Sequence, residues 1–317
     1  MATQQLDATP QLPAAAKLPE IKATPWWQNG RFWQALVFYV LIGFFILNLL
    51  GMVFSVVIDS FGTQWFATWL PADVTLNWYH YLANDHDIGG LLYNTLVVAV
   101  STTVIALAVG FPAAYVLARK EFRFKGLLTG LYLVPMLLPP LVYGIPLATI
   151  LLKFLHGIDL QMYSLFGLQT TFATSLVIVT IINLVPVVPF VILILTPFIQ
   201  QIDSSMEAAS AMLGANRWQT FYRVLLPLVI PGLLTAGVLA VVRIVAMFEL
   251  TYLSAGPLSQ TLVVTLYGDA FAAGIRPTQA TDGLAVIYMA TSMALVGIAL
   301  IFVKPTQFVV RVKTNNR

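Results

Sequence analysis

Side chains that could contact a polar solute stand isolated inside long apolar segments. Arg243 and Glu249 lie in the run VVRIVAMFELTYLSAGP. Charged groups within such a run are functional candidates, because burying them in an apolar medium is unfavourable. Six residues apart, they face directions about 120° apart on a helix, so we expect no direct pair. Asn183, Tyr143 and Tyr252 add hydrogen-bonding groups. We expect these five side chains to line a path for a polar solute.

Residue patterns for covalent or metal chemistry are missing from the sequence. It contains no cysteine, which excludes disulfides, thiolate metal sites and cysteine nucleophiles. His80, His86 and His156 are expected in separate outer loops and do not form a metal-ligand set. No glycine-rich phosphate loop ending in Lys-Ser or Lys-Thr occurs, so we expect no ATP site in this chain. The sequence therefore indicates neither an enzyme nor a metal protein, and we predict no catalytic residues.

Composition indicates an integral membrane protein. Of the 317 residues, 59% are hydrophobic and 9% are charged, whereas a soluble domain has about 25% charged residues. Crossing a bilayer takes about 20 apolar residues in a helix. Six segments qualify, approximately 34–57, 92–117, 127–152, 173–197, 229–254 and 284–303. We predict an all-α protein that is embedded in the lipid bilayer and crosses it with six transmembrane helices.

Basic residues determine the expected orientation. Most of the 16 lysines and arginines fall before the first span, after the second, between the fourth and fifth, and after the sixth. The positive-inside rule then puts both termini in the cytoplasm. We divide the chain into a cytoplasmic tail with an interfacial segment (1–33), a six-helix domain (34–304) with a cytoplasmic loop at 198–228, and a cytoplasmic tail (305–317). Lys153 is expected in an outer loop.

The loop between the fourth and fifth spans is predicted to hold two short helices. Ser204 or Ser205 can cap the first helix, and Gly214 either ends it or bends it. Asn216 can cap the second, which Leu226-Pro227 closes before the fifth span. One interpretation is an amphipathic segment resting on lipid headgroups. Its small residues instead favour close packing into a groove of another protein.

This loop resembles a known family. The residues EAASAMLGANRWQTFYRVLLP are similar to the cytoplasmic loop of permease subunits in binding-protein-dependent ABC importers of type I fold. From Gly214 to Pro227 the family spacing is complete, whereas Glu207 stands one place earlier than the family glutamate. The resemblance covers roughly the second to the sixth span.

The resemblance implies that the loop is a coupling helix that sits in a groove of a cytoplasmic ATPase. It implies a second permease subunit, with a heterodimer favoured, two ATPase subunits that bind ATP and Mg²⁺, and a periplasmic or lipid-anchored solute-binding protein. It places the chain in the bacterial inner membrane, without a cofactor of its own and without a nucleic-acid partner. The coupling residues it implies are Glu207, Ala208, Ala209, Ser210, Met212, Leu213, Gly214, Ala215 and Asn216.

The solute class rests on weaker resemblances. FELTYLSAGPLSQTLVVTLY is similar to sugar permeases, and LVPMLLPPLVYGIPLA to spermidine/putrescine permeases. We expect a small polar organic solute, with a polyamine slightly favoured over a sugar. Two other classes are a secondary transporter, which should show inverted repeats and more intramembrane charges, and an intramembrane enzyme, which should show paired acids or histidines inside spans. The sequence shows neither feature.

Overall fold

The computed structural model describes residues 30–65, 70–271 and 277–301. Most of the expected N-terminal segment 1–33 and the expected tail 305–317 lie outside these residues, together with Arg276 and all the basic residues of both tails except Arg31. The expected placement of both termini in the cytoplasm therefore stays a prediction.

The described residues are almost entirely helical, and they contain no β-strand beyond a single bridge between Gly62 and Val74. A 3₁₀ turn covers Phe172–Thr174, and a π-helical turn covers Phe221–Leu225. The α-helices are α1 (Gly30–Phe61), α2 (Asn77–Asp85), α3 (Ile88–Arg119), α4 (Lys125–Leu137), α5 (Pro140–Phe166), α6 (Leu176–Gln200), α7 (Ser205–Met212), α8 (Arg217–Thr220), α9 (Leu226–Val245), α10 (Glu249–Ser254), α11 (Leu262–Phe271) and α12 (Thr278–Ile301).

Six of the described helical segments are long and apolar enough to cross a membrane, which confirms the predicted fold class. They are Phe32–Phe61, Ile88–Arg119, Pro140–Phe166, Leu176–Gln200, Arg217–Val245 and Thr278–Ile301.

The predicted third span is wrong in its bounds. The segment 127–152 is divided between α4 and α5, with Leu138 and Pro139 in extended conformations between them. Pro140 has no N–H to continue α4, and a residue that precedes a proline is disfavoured in the helical region. Because α5 runs on to its end at position 166, Lys153 and His156 lie inside a helix rather than in an outer loop.

The fifth span also differs from the prediction at both ends. Its helix stops at Val245, and three non-helical residues precede α10. The hydroxyl of Tyr288 donates to the Val245 carbonyl over 2.8 Å, so the break is held from α12. At the other end, Leu226-Pro227 does not close a helix, because α8, the π turn and α9 run on as one helical segment. The wider turn directly before Pro227 makes room for a ring that would crowd an ordinary preceding turn.

The centre of the bundle is formed by α3, α6 and α9. One face of α3 carries the small residues Ala106, Gly110 and Ala114 at every fourth position, all of them buried. A Cβ added at Gly110 would lie 2.7 Å from Val191 Cγ1, so the glycine permits the close approach of α6. Small residues are typical of helix contacts inside membranes, where van der Waals packing supplies much of the attraction.

The chain divides into two compact units, the first ending at Phe54 and the second beginning at Ser55. The described part of the first unit belongs to α1. Its side chains from Trp33 to Phe54 are exposed and nearly all apolar, as expected for a helix in contact with lipid.

Candidate coupling loop and solute path

The first helix of the loop, α7, begins with an acidic cap. Asp203 Oδ1 accepts a hydrogen bond from the Ser205 N–H over 2.9 Å, whereas Ser204 makes no side-chain cap. This bond lowers the pKa of the Asp203 carboxyl below its usual range, because it favours the ionised form. The predicted serine cap is therefore wrong, and the carboxylate of Asp203 caps the helix instead. Glu207 falls in the first turn, as predicted.

The end of α7 is a sharp turn centred on Gly214, which has φ +82°. The Gly214 N–H donates to Ala211 O over 3.0 Å, and the Ala215 N–H donates to Ser210 O over 3.1 Å. This pair of bonds is the Schellman arrangement, in which a residue in the left-handed region reverses the chain and satisfies the last helical carbonyls. The predicted role of Gly214 as the helix end is confirmed.

The second helix, α8, is capped as predicted. Asn216 Oδ1 accepts from the Gln219 N–H, and Gln219 Oε1 accepts from the Asn216 N–H, each over 2.9 Å. This reciprocal pair is a capping box. A 2.8 Å hydrogen bond between the hydroxyls of Ser210 and Thr220 ties α7 to the end of α8. The two short helices are thus linked to each other on their inner side, where Ser210 is buried.

The outer side of the loop presents apolar side chains. Met212 is 83% exposed and Leu213 is 89% exposed, at the tip formed by the turn. Several other predicted coupling residues are exposed around this tip, namely Ala208, Ala209, Gly214 and Asn216, whereas Ala215 is half-buried. We call these exposed residues the tip surface.

Glu207, like the buried Ser210, does not belong to the tip surface, because its carboxylate turns inward to α3. Its Oε2 accepts a 2.8 Å hydrogen bond from the Tyr115 hydroxyl. Its Oε1 lies 2.9 Å from Arg119 Nε, as an ion pair rather than a well-aligned hydrogen bond. Tyr115 and Glu207 line a cleft of about 390 Å³, together with Lys120 and Arg217.

Arg119 and Tyr115 were missed as site residues at the sequence level. Arg119 counted only toward orientation, and Tyr115 gave no signal, since its contact with Glu207 joins residues 92 positions apart. Spacing alone offers one clue, because residues four apart share a helix face.

The five predicted solute-path residues lie around the break between α9 and α10, on several helices. Asn183, in α6, is fully buried and donates to Val179 O over 2.8 Å and to Thr251 Oγ1 over 3.1 Å. Its Oδ1 has no partner among the described residues. The amide thus joins α6 to α10 and keeps one acceptor available.

Arg243 and Tyr143 also present polar atoms without a hydrogen-bond partner among the described residues, namely Arg243 Nε and the Tyr143 hydroxyl. The Arg243 guanidinium lies over the Phe190 ring, 5.0 Å from its centroid. Such a cation–π contact stabilises the charge, as does its place in the last turn of α9. No ion pair joins Arg243 to Glu249 within the described part of the chain, as the sequence predicts.

Glu249 is the first residue of α10, and Tyr252 lies one turn on. Tyr252 belongs to an aromatic cluster. The other rings of the cluster come from the segment before α10 and from α11, so the cluster could not be predicted from sequence spacing. Phe248 and Tyr267 have ring centroids 4.2 Å apart, and Tyr267 and Phe271 have centroids 4.3 Å apart. Tyr252 and Phe271 are exposed.

Within the described ranges no group of three histidine or acidic side chains is arranged to hold a metal ion. The histidines stand apart, with His80 in α2, His86 after its end and His156 in α5. His86 Nε2 lies 2.8 Å from Asp269 Oδ2, which links the start of the bundle to α11.

Comparison with known families decides what kind of protein this is. The profile of the family described as "binding-protein-dependent transport system inner membrane component" matches residues 93–307. The chain belongs to this family. It is therefore a permease subunit of a binding-protein-dependent ABC importer, a transport component, and the two alternative classes are set aside.

Several named permeases are similar in sequence. The molybdenum transport permease ModB of Haemophilus influenzae is 33% identical over 178 residues, which cover 55% of this chain and 76% of the relative. ModB of Azotobacter vinelandii is 32% identical over 190 residues, covering 58% and 81%. The trehalose transport permease SugB of Mycobacterium tuberculosis is 31% identical over 197 residues, covering 62% and 66%.

The fold is shared with a solved importer. A crystal structure of a bacterial ABC transporter involved in the import of the acidic polysaccharide alginate contains a chain that superposes with a TM-score of 0.65 at 14% identity, covering 85% of this chain and 94% of that one. The expected type I importer fold is confirmed.

Proposed function

We propose that the loop between α6 and α9 couples this permease to a cytoplasmic ATPase. The main support for this proposal is the tip surface. Met212 and Leu213 expose large apolar side chains on a turn whose backbone is fixed by the Gly214 geometry and by two caps. An exposed apolar patch on a rigid support is typical of a protein-binding site. A headgroup-binding helix would instead set basic residues against a bulky apolar face.

We propose the partners that are typical of this family. This chain forms half of a translocation path with a second permease subunit, in a heterodimer. Two ATPase subunits hold ATP and Mg²⁺, and a periplasmic or lipid-anchored binding protein delivers the solute. The assembly lies in the bacterial inner membrane, with the coupling loop and both termini of this chain in the cytoplasm. The basic residues of the loop, Arg217 and Arg223, agree with that side.

Co-purification tests the coupling role. Leu213→Asp places a charge on the tip surface at a side chain that is 89% exposed, so the variant should fold. We expect the amount of ATPase recovered with the solubilised permease to fall by about tenfold, as for a central interface residue. Leu168→Asp, at an exposed leucine after α5, is the matched control and should retain the ATPase. Equal recovery with both variants would contradict the proposal.

We propose that the solute path runs past the break between α9 and α10. Non-helical backbone at membrane depth is tolerated where it lines a cavity or is buried in protein. The unpartnered atoms of Tyr143, Asn183 and Arg243 and the acidic start of α10 at Glu249 supply polar groups on this path. Tyr252 extends the path at the exposed aromatic cluster.

For the solute, we propose a small oxyanion in place of the polyamine expected from sequence. The permeases compared above are named for molybdenum and trehalose, and a relative in Chlorella vulgaris carries the name "probable sulfate transport system permease protein". None of these solutes is a polyamine. Arg243, whose Nε has no hydrogen-bond partner among the described residues beside the break, suits an anion. A sugar is the second candidate, favoured by the aromatic cluster, whose ring faces can pack against the apolar face of a pyranose.

Uptake into vesicles that contain the whole importer separates these solutes. With labelled molybdate as the probe, we expect Arg243→Gln to reduce uptake by about tenfold, because a hydrogen bond to a charged group is lost. Lys153→Gln, at an exposed cation of α5, should leave uptake unchanged. Uptake of trehalose but not of molybdate by the unmodified importer would contradict the oxyanion and support the sugar.

A further inference from the structure

Tyr115 and Arg119, two side chains on one face of α3, contact the coupling loop at Ile202 and at Glu207. Arg119 Nη2 donates to the Ile202 carbonyl over 2.8 Å, just after α6 ends. The same guanidinium pairs with Glu207 in the first turn of α7, and Tyr115, one turn earlier on α3, donates to the other oxygen of that carboxylate. We call Tyr115, Arg119 and Glu207 the bracket.

The bracket is better placed to transmit force than an ordinary surface ion pair. The Arg119 and Glu207 side chains are only 13% and 21% exposed, so water screens their attraction less than in an exposed pair. Both oxygens of the carboxylate are engaged, and the planar guanidinium makes its two contacts through different nitrogens held in a fixed geometry. Loss of one partner would leave the other charge partly buried and uncompensated.

The bracket joins a helix that is itself fixed in the core. On α3, Gly110 packs closely against α6, and the buried residues Ala106 and Ala114 lie one turn to either side on the same face, with Ala114 toward the loop. The loop is thus bonded to α3 at its cytoplasmic end, and α3 is packed against α6 along its length. A displacement of α7 must either break the bracket or carry α3 with it.

We infer that the bracket makes α7, α3 and the end of α6 move as one rigid unit when the ATPases close, so that Tyr115 and Arg119 are positioning residues for transport. This inference rests on the proposed coupling function of the loop. It assigns Glu207 to the transmission of movement within this chain, whereas Met212 and Leu213 contact the ATPase.

A distance measurement inside the whole importer tests the rigid unit without any need to know the solute. Because the chain has no cysteine, spin labels can be attached to Met206→Cys, at an exposed position of α7 outside the tip surface, and to Val104→Cys, at an exposed position of α3. One labelled copy of this chain is assembled with its partners, with and without a non-hydrolysable ATP analogue. We expect the same narrow distance distribution in both states.

Removal of the bracket should free the loop. With Arg119→Ala added, we expect the distribution to widen by about twofold and its mean to change when the ATP analogue binds, because the remaining contacts leave Glu207 partly uncompensated. Tyr115→Phe, which removes only a hydroxyl, should widen it less. Arg123→Ala, at an exposed cation of the next loop, should match the unmodified bracket.

The outcomes separate the two claims. A distance that changes on ATP binding with the bracket intact, or an Arg119→Ala distribution as narrow as that of the Arg123→Ala control, overturns the rigid unit. If Arg119→Ala does not assemble, Tyr115→Phe decides by the same criterion. Absence of ATPase from the purified, unmodified complex overturns the coupling function instead, and co-purification detects that result before any label is attached.

Discussion

Gly214 shows how much of the coupling loop depends on one residue. Its φ of +82° lies in the left-handed region, and no atom would contact an added Cβ within 4 Å. Space is therefore not the constraint at this position, and backbone conformation is. Residues that carry a Cβ, asparagine excepted, are disfavoured there by about 1–2 kcal/mol.

We expect Gly214→Ala to make the loop more sensitive to protease and to weaken the ATPase interaction. The reason is that about 1–2 kcal/mol of backbone strain opposes the turn. Gly214→Asn should retain most of both, because asparagine adopts this conformation more readily. Protease sensitivity of the loop in the solubilised permease, together with ATPase recovery, measures the two effects. If the alanine and asparagine variants behave alike, side-chain size rather than backbone conformation controls the turn.

Local features of the loop could be predicted from the sequence, and contacts across it could not. Gly214 as a helix end and Asn216 as a cap follow from residue types that act on their own backbone. The partner of Glu207 depends on how α3 packs beside the loop, and no spacing within the loop specifies that. The cap of α7 shows that even a local feature cannot always be predicted. Asp203 and Ser204 are both suitable capping residues, and only the path of the backbone selects between them.

At the scale of elements, close helix contact depends on a few positions. Gly110 brings α3 against α6, where an added Cβ would lie 2.7 Å from Val191 Cγ1 and 3.2 Å from Val191 Cβ. Val191 is fully buried and branched at Cβ, so it has little freedom to move aside.

We expect Gly110→Ala to destabilise the permease by about 1–3 kcal/mol, the usual range for an overpacked core. Thermal denaturation in detergent should show a lower midpoint. Gly157→Ala is the matched control, because Gly157 lies in α5 with nothing within 4 Å of an added Cβ; its midpoint should stay the same or rise. An unchanged midpoint for Gly110→Ala would mean that α3 and α6 are not in close contact there.

The two helix breaks show why span boundaries were harder to predict than span number. Apolar composition counts residues that suit the bilayer, and it continues unchanged across Leu138-Pro139 and across positions 246–248. The first break carries a local signal in its paired prolines. The second has neither proline nor glycine, and contacts such as Tyr288 with the Val245 carbonyl hold it in place.

At the scale of the whole molecule, the six apolar helices within the described ranges and the exposed apolar loop tip agree with a permease subunit of an ABC importer. The number of spans, the helical class and the family could be predicted from the sequence, because they depend on composition and on one long motif. The solute could not, since the residues around the second break come from α5, α6, α9 and α10 and act through their arrangement.

Cross-linking from the tip surface tests the central claim most directly, because the chain contains no cysteine to compete with an introduced one. A thiol-reactive photo-cross-linker on Leu213→Cys, activated in native membranes, should join this permease to an ATPase identified by mass spectrometry. The same reagent on Leu168→Cys, at an exposed position after α5, should give no such product. An ATPase adduct from position 168, or none from position 213, would contradict the account of the loop as the coupling element.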